Sequence, residues 1–338
     1  MTIRARAPLR ISFGGGGTDV SPYRDERGGA VLSATIDRYA YATLEPVPDR
    51  IVVRSLDYDV SLTYSLDEEF VYDGQLDLAK GVIEHFRRER GLSEGFDVFL
   101  HNDAPPGSGL GSSSAIVVAL IGALSEHLHL TLDDYALAEL AYSIEREEVG
   151  IRGGRQDQYA TAFGGFNFIE FAPEATVVNP LRLRDETLFE LEYRLVFAYV
   201  GGQHLSSRII ERQQDNFTNG DTDAISAMDR LKELAYEMKD ALLLGRIRDL
   251  GALLDEAWAA KKRMAAEIST PRIDGVYEAA KAAGAIGGKI SGAGGGGFMY
   301  FLAEPERRFA VQEALRAHGA ELVNFAFVPD GMRAWSVR

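Results

Sequence analysis

The chain has 338 residues, 46% hydrophobic and 26% charged, enough for one large or two intermediate globular domains. Its 36 basic against 51 acidic residues leave a net charge of −15, so the average surface repels nucleic acid and anionic membranes and neither is expected as a partner. The absence of cysteine excludes disulfides and thiol catalysis, and six histidines without metal-ligand spacing argue against a zinc centre.

In chain order, the opening MTIRARAPLRISF carries basic residues but no apolar core, so no secretion signal is expected. The longest apolar run, residues 115–124, is far too short to cross a bilayer, and a cytoplasmic location is the default. Residues 2–7, 30–45, 50–55 and 59–64 are rich in β-branched and aromatic side chains and read as strands between Pro, Asp and Gly turns. A helix is expected near 77–90 and a strand over 95–102. The stretch DAPPGSGLGSSS then enters an apolar helix, 113–127. Thr131 and Asp134 stand in capping-box spacing at the start of a further helix, which runs to Val149 and stops at Gly150. GIRGGRQDQYATAFGG, residues 150–165, reads as a glycine-studded turn that carries Asp157. A β-rich passage follows to 200, then consecutive helices over 205–283. Strands at 285–291 and 298–303 flank a second glycine run, before a helix at 305–317 and two final strands. The proline and charges of NPLRLRDET place a boundary near 180–190, giving units 1–185 and 186–338.

Three glycine-rich stretches can carry chemistry. In PPGSGLGSSSA, Gly107, Gly109 and Gly111 let successive N–H groups converge at a helix N-terminus, which suits an anion. No Lys-Ser or Lys-Thr follows in Walker A register. SGAGGGG, residues 291–297, formally matches a dinucleotide fingerprint at Gly292, Gly294 and Gly297, but a strand follows where an oxidoreductase would need a helix. In APLRISFGGGGTD, Arg10 and Asp19 flank four glycines, an arrangement suited to a polar, hydroxylated ligand or to a surface ion pair. Glu145 flanks the apolar stripe of the 131–149 helix, Glu148 lies nearer its centre, and Asp157 follows twelve residues after Glu145. Such acids require a partner, either a cation or a salt bridge to Arg146 or Arg152.

Taken together and in this order, RAPLRISFGGGGTDVSPY, PPGSGLGSSSA, GIRGGRQDQYATAFGGFN and KISGAGGGGF resemble the GHMP kinase superfamily, and within it the bacterial heptose 7-phosphate kinases. The resemblance implies an α+β protein of two domains: an N-terminal domain with a left-handed βαβ unit and a ferredoxin-like C-terminal domain, with the active site in the cleft. It implies an ATP- and Mg²⁺-dependent kinase that phosphorylates the C1 hydroxyl of D-glycero-D-manno-heptose 7-phosphate, on a route to surface polysaccharide. By the same resemblance, Pro106, Gly107, Ser108, Gly109, Leu110, Gly111, Ser112, Ser113 and Ser114 cradle the nucleotide phosphates. Ser113 and Glu145 hold Mg²⁺, and Asp157 is the catalytic base beside Arg10. Ser12, Gly16, Gly17, Thr18, Asp19, Gly294 and Gly295 complete the sugar site. The partners are then small molecules, and a homo-oligomer is compatible with the sequence. A kinase of a free sugar such as fucose, galactose or mannose is the alternative, and a GHMP-fold binding protein without turnover is a second one. The sugar phosphate is offered four cations, His204, Arg208, Arg152 and Arg155.

Overall fold

A computed structural model describes residues 1–202 and 206–337. The first sheet is laid down by β1 (Thr2–Gly14), β2 (Gly29–Val47), β3 (Arg50–Ser55), β4 (Val60–Ser65), β5 (Gly95–Asn102), β6 (Phe166–Phe171) and β7 (Thr176–Pro180). The nineteen-residue β2 is its spine, pairing antiparallel with β1, β5 and β6 along different stretches. Among the described residues only β3 and β5 run parallel, and the helix Asp77–Arg90 lies between them in the chain. The sequence reading ended the first strand at residue 7. The strand in fact continues to Gly14, because Pro8–Ser12 and Gly14 remain paired with β2 and buried, and this continuation carries Arg10.

A second, four-stranded antiparallel sheet holds β8 (Leu195–Tyr199), β9 (Ala285–Ile290), β10 (Phe298–Ala303) and β11 (Glu321–Leu322) in the order β11-β8-β10-β9. The helices Ser206–Thr218, Thr222–Leu243, Ile247–Met264 and Pro271–Ala283 connect β8 to β9. The last strand, β12 (Arg333–Val337), does not stay with this unit: it pairs antiparallel with β1 at the edge of the first sheet. Strands β1–β7 thus precede residue 185, and β8–β11 follow it.

The helix Ser112–His127 is apolar nearly all round, and it is buried between the first sheet and its neighbouring helices. The following helix, Asp134–Tyr142, starts at Asp133, whose carboxylate accepts from the Ala136 N–H at 2.7 Å. Asp133 is thus the cap in place of the Thr131/Asp134 box. The helix is also shorter than expected, giving way to a π-helical turn, Ser143–Glu148, that bears Glu145 and Arg146. Gln156–Phe163 forms a helix where a turn was expected, so Asp157 stands in a first helical turn.

Candidate active site

The three glycine stretches meet at one cleft of about 690 Å³. The loop before the helix Ser112–His127 is fixed from outside by its carbonyls. Phe298 N–H donates to the Ser108 carbonyl at 3.0 Å, and Arg10 N–H donates to the Leu110 carbonyl at 3.0 Å. Ser291 Oγ donates to the Gly109 carbonyl, also at 3.0 Å. With those carbonyls engaged, the helix N-terminus and the exposed Ser113 face the cleft. Gly111 caps the helix with φ 74°, and a Cβ there would lie 3.3 Å from Asp157 Cγ. The loop and the acid are packed that closely.

Asp157 is held by Arg10, whose Nε donates to Oδ1 at 2.8 Å and whose Nη2 lies 2.6 Å from the same oxygen. Arg10 Nη1 donates to the Gly109 carbonyl at 2.6 Å. One buried guanidinium thus ties the acid to the glycine loop at Gly109, while the Asp157 side chain retains 22% exposure on the cleft. Asp19 is buried yet lines the cleft. It accepts from the N–H groups of Gly17 and Gln156 and from Gln156 Nε2, each at 3.0 Å. Gln156 therefore links the two acids.

Glu145 is fully buried and lies behind the loop. It accepts from Ser113 Oγ at 3.1 Å, Ser114 Oγ at 2.7 Å and Gln158 Nε2 at 2.6 Å, and its Oε1 stands 3.2 Å from Arg146 Nη1. Glu148 is occupied elsewhere, by His85 at 2.7 Å and Arg88 at 3.1 Å.

Of the residues singled out from the sequence, Arg10, Gly16, Gly17, Asp19, Pro106, Gly107, Gly109, Gly111, Ser112, Ser113 and Asp157 line the cleft. Others do not. Thr18 turns inward, its hydroxyl donating to the Gly15 carbonyl at 2.8 Å. The Ser12 carbonyl is taken by Lys289 and Tyr300. Gly294 and Gly295 pack on Ile268, the Gly295 N–H donating to its carbonyl at 2.9 Å, and Gly292 and Ala293 face the cleft in their place. Ser108, Leu110 and Ser114 are buried beneath the loop. Arg152 reaches the cleft rim, paired with Glu211 at 3.3 Å. Arg155 is drawn away by Glu139 at 2.8 Å and by the Tyr142 ring at 3.9 Å. Arg208 is exposed outside the cleft lining, and His204 lies outside the described residues.

Sequence reasoning missed Lys261, which lines the cleft from the helix Ile247–Met264. The signal was present: Leu250, Leu254, Ala257, Trp258 and Met264 form the apolar stripe of that helix, and Lys261 falls on it. Burial holds its ammonium down to about 8 against the usual 10.5; Asp19 opposes the shift and Arg10 adds to it.

Residues 77–165 match the GHMP kinases N terminal domain, and residues 238–321 match the GHMP kinases C terminal family. A curated relative, the D-glycero-alpha-D-manno-heptose 7-phosphate kinase of Campylobacter jejuni, is 38% identical over 99% of both chains. The chain belongs to the GHMP kinase family. A bifunctional fucokinase/GDP-fucose pyrophosphorylase of Arabidopsis thaliana is a more distant GHMP relative, 25% identical over 93% of this chain and 31% of its own. The crystal structure of a D-glycero-D-manno-heptose 1-phosphate kinase from Bacteroides thetaiotaomicron superposes with a TM-score of 0.84, at 37% identity and 99% coverage of both chains. The expected GHMP architecture of mixed helices and sheets is the one observed. No helix among the described residues is long and apolar enough to cross a membrane.

Proposed function

We propose that this GHMP kinase transfers the γ-phosphoryl group of ATP to the C1 hydroxyl of D-glycero-D-manno-heptose 7-phosphate, releasing the 1,7-bisphosphate and ADP. The observation that carries this reading is Asp157, fixed by Arg10 at 2.8 and 2.6 Å against the Gly109–Ser113 loop and open to the cleft. Phosphoryl transfer needs positioning and charge stabilisation more than covalent help. The loop N–H groups and helix N-terminus hold the nucleotide phosphates. Asp157 accepts the proton of the attacking hydroxyl, and Arg10 lies beside the charge that develops on the acceptor oxygen. Val60, Leu76, Leu78, Leu100 and Ile116 line an apolar part of the cleft, which suits a nucleoside base.

Ser113 and Glu145 support a magnesium site here, with Glu145 buried and its Oε1 at present 3.2 Å from Arg146 Nη1. Ser113 Oγ and Glu145 Oε1 lie 3.1 Å apart at the helix N-terminus, and Mg²⁺ commonly takes one or two carboxylates together with substrate phosphates. When bound, the ion neutralises charge on the β- and γ-phosphates. Ser113 and Glu145 would hold it, with Ser114 and Gln158 fixing the far carboxylate oxygen.

The two heptose-kinase relatives differ in the phosphate that their names carry, and the fucokinase keeps a free sugar in play. ADP release is therefore measured with heptose 7-phosphate, fucose, galactose and mannose as acceptors. Heptose 7-phosphate should win; a free hexose that wins by a wide margin overturns the acceptor and leaves the kinase chemistry standing. Asp157→Asn should retain ATP binding while turnover drops on the order of a hundredfold or more. Near-normal turnover would remove Asp157 from the mechanism. The enzyme works where ATP is abundant, in the cytoplasm.

A further inference from the structure

The transfer chemistry leaves two buried polar side chains of the cleft unused. Lys261 is 2% exposed, and its one hydrogen bond among the described residues is a long one, 3.4 Å to the Gly16 carbonyl. Gln213, on the helix Ser206–Thr218, is also 2% exposed, and its Nε2 finds no acceptor among the described residues. Both line the same cleft and abut the same turn: a Cβ on Gly17 would lie 3.4 Å from Gln213 Oε1. Arg152 stands at the rim, its guanidinium shared with Glu211 and Gln214. A buried ammonium held by one long hydrogen bond and a buried amide donor with no acceptor among the described residues cost free energy that an anion would recover.

Their position says which anion. A chain of contacts runs from Gly111 to Asp157, through the neighbouring Gln156 to Asp19, and by the Asp19 turn to Gly16 and Gly17. The nucleotide loop is at one end of that chain, and Lys261 and Gln213 are at the other. We propose that Lys261 and Gln213, with Arg152 at the rim, form the subsite for a phosphate monoester at the end of the acceptor sugar remote from the attacking hydroxyl. This rests on the acceptor assignment above and gives it a physical selector. A free sugar leaves Lys261 with its one long bond and the Gln213 amide without an acceptor, whereas a terminal phosphate offers oxygens to both.

The test compares heptose 7-phosphate with the same heptose after phosphatase treatment, by ADP release, in the full-length protein and in Lys261→Met and Gln213→Ala. Calorimetric ADP binding reports on folding. The wild type should prefer the phosphorylated acceptor in kcat/KM. Each variant should lose on the order of 10–100-fold of that preference, carried by KM more than by kcat. A preference unchanged in both variants, with ADP binding intact, overturns the subsite. Should Lys261→Met fail to bind ADP, Gln213→Ala decides alone. A wild type that does not use heptose 7-phosphate overturns the acceptor and the subsite together; one that uses it while the variants keep its preference overturns only the subsite.

Discussion

Arg10 does two things with one planar group: it grips Asp157 through Nε and Nη2 and pins the Gly109 carbonyl through Nη1. A lysine offers a point charge and cannot span these partners at once. Arg10→Lys should lower kcat/KM by about 10–100-fold, the loss expected for a charged hydrogen bond, and steady-state kinetics check it. Lys261 gives a prediction about pH. Its folded pKa of about 8 lies below the unfolded 10.5, so the unfolded chain binds the extra proton between these values. The cost of burying the charge is therefore full below pH 8, and stability rises with pH across that window. Lys261→Met should raise the ligand-free melting temperature at pH 7, by a stabilisation on the order of 3 kcal/mol, and the gain should shrink towards pH 10. Equal or lower stability at pH 7 contradicts that sign. For the wild type, kcat/KM for the phosphorylated acceptor should fall above about pH 8, with Asp19, Arg10 and Lys289 the charged groups that face Lys261. Residue types and motif order made Asp157, Arg10 and Asp19 visible before any fold was known. Lys261 was visible only as a charge on an apolar stripe, a pattern that a snorkelling surface lysine also produces.

In the proposed mechanism the chemistry turns on the helix Ser112–His127 and its glycine cap. Gly111→Ala would place a side chain at φ 74° with its Cβ 3.3 Å from Asp157 Cγ. The backbone strain alone is about 1–2 kcal/mol, and the displaced carboxylate should cost turnover beyond the loss of stability. Comparing kcat with the melting temperature separates the two. Helix and strand periodicity located the long elements, because long apolar patterns dominate local preferences, but the short helix Asp185–Arg194 falls in a passage that reads as β-rich. What it did not show was irregular backbone. The π-helical turn at Ser143–Glu148 has the composition of an ordinary helix end, and only packing around Glu145 reveals it. Asp133, Asp134 and Thr131 all have capping side chains, so composition alone could not choose among them.

At the scale of the molecule, the two sheets are joined beneath the cleft by a small polar knot. Lys289 Nζ on β9 and Tyr300 Oη on β10 both donate to the Ser12 carbonyl on β1, at 2.7 and 2.6 Å. Burial, with Lys261 and Arg10 nearby, pushes Lys289 well below the ordinary lysine range, and burial pushes Tyr300 well above the tyrosine range; Lys289 also donates to Tyr300 Oη at 3.2 Å. Tyr300→Phe removes one donor and leaves the other, so denaturant unfolding should report a loss of about 1 kcal/mol. No sequence pattern announces this joint, because its members lie 277 and 288 positions from Ser12.

The return of β12 to β1 bears on how the protein is made. An outer row of amide and carbonyl groups on the opening strand waits for residues 333–337, so the N-terminal half cannot finish its sheet during synthesis while the other half is still unborn. Until then that strand is a sticky rim, open to a sister chain. Clipping those few residues should therefore produce clumped rather than merely weakened protein, even though none of them lines the cleft.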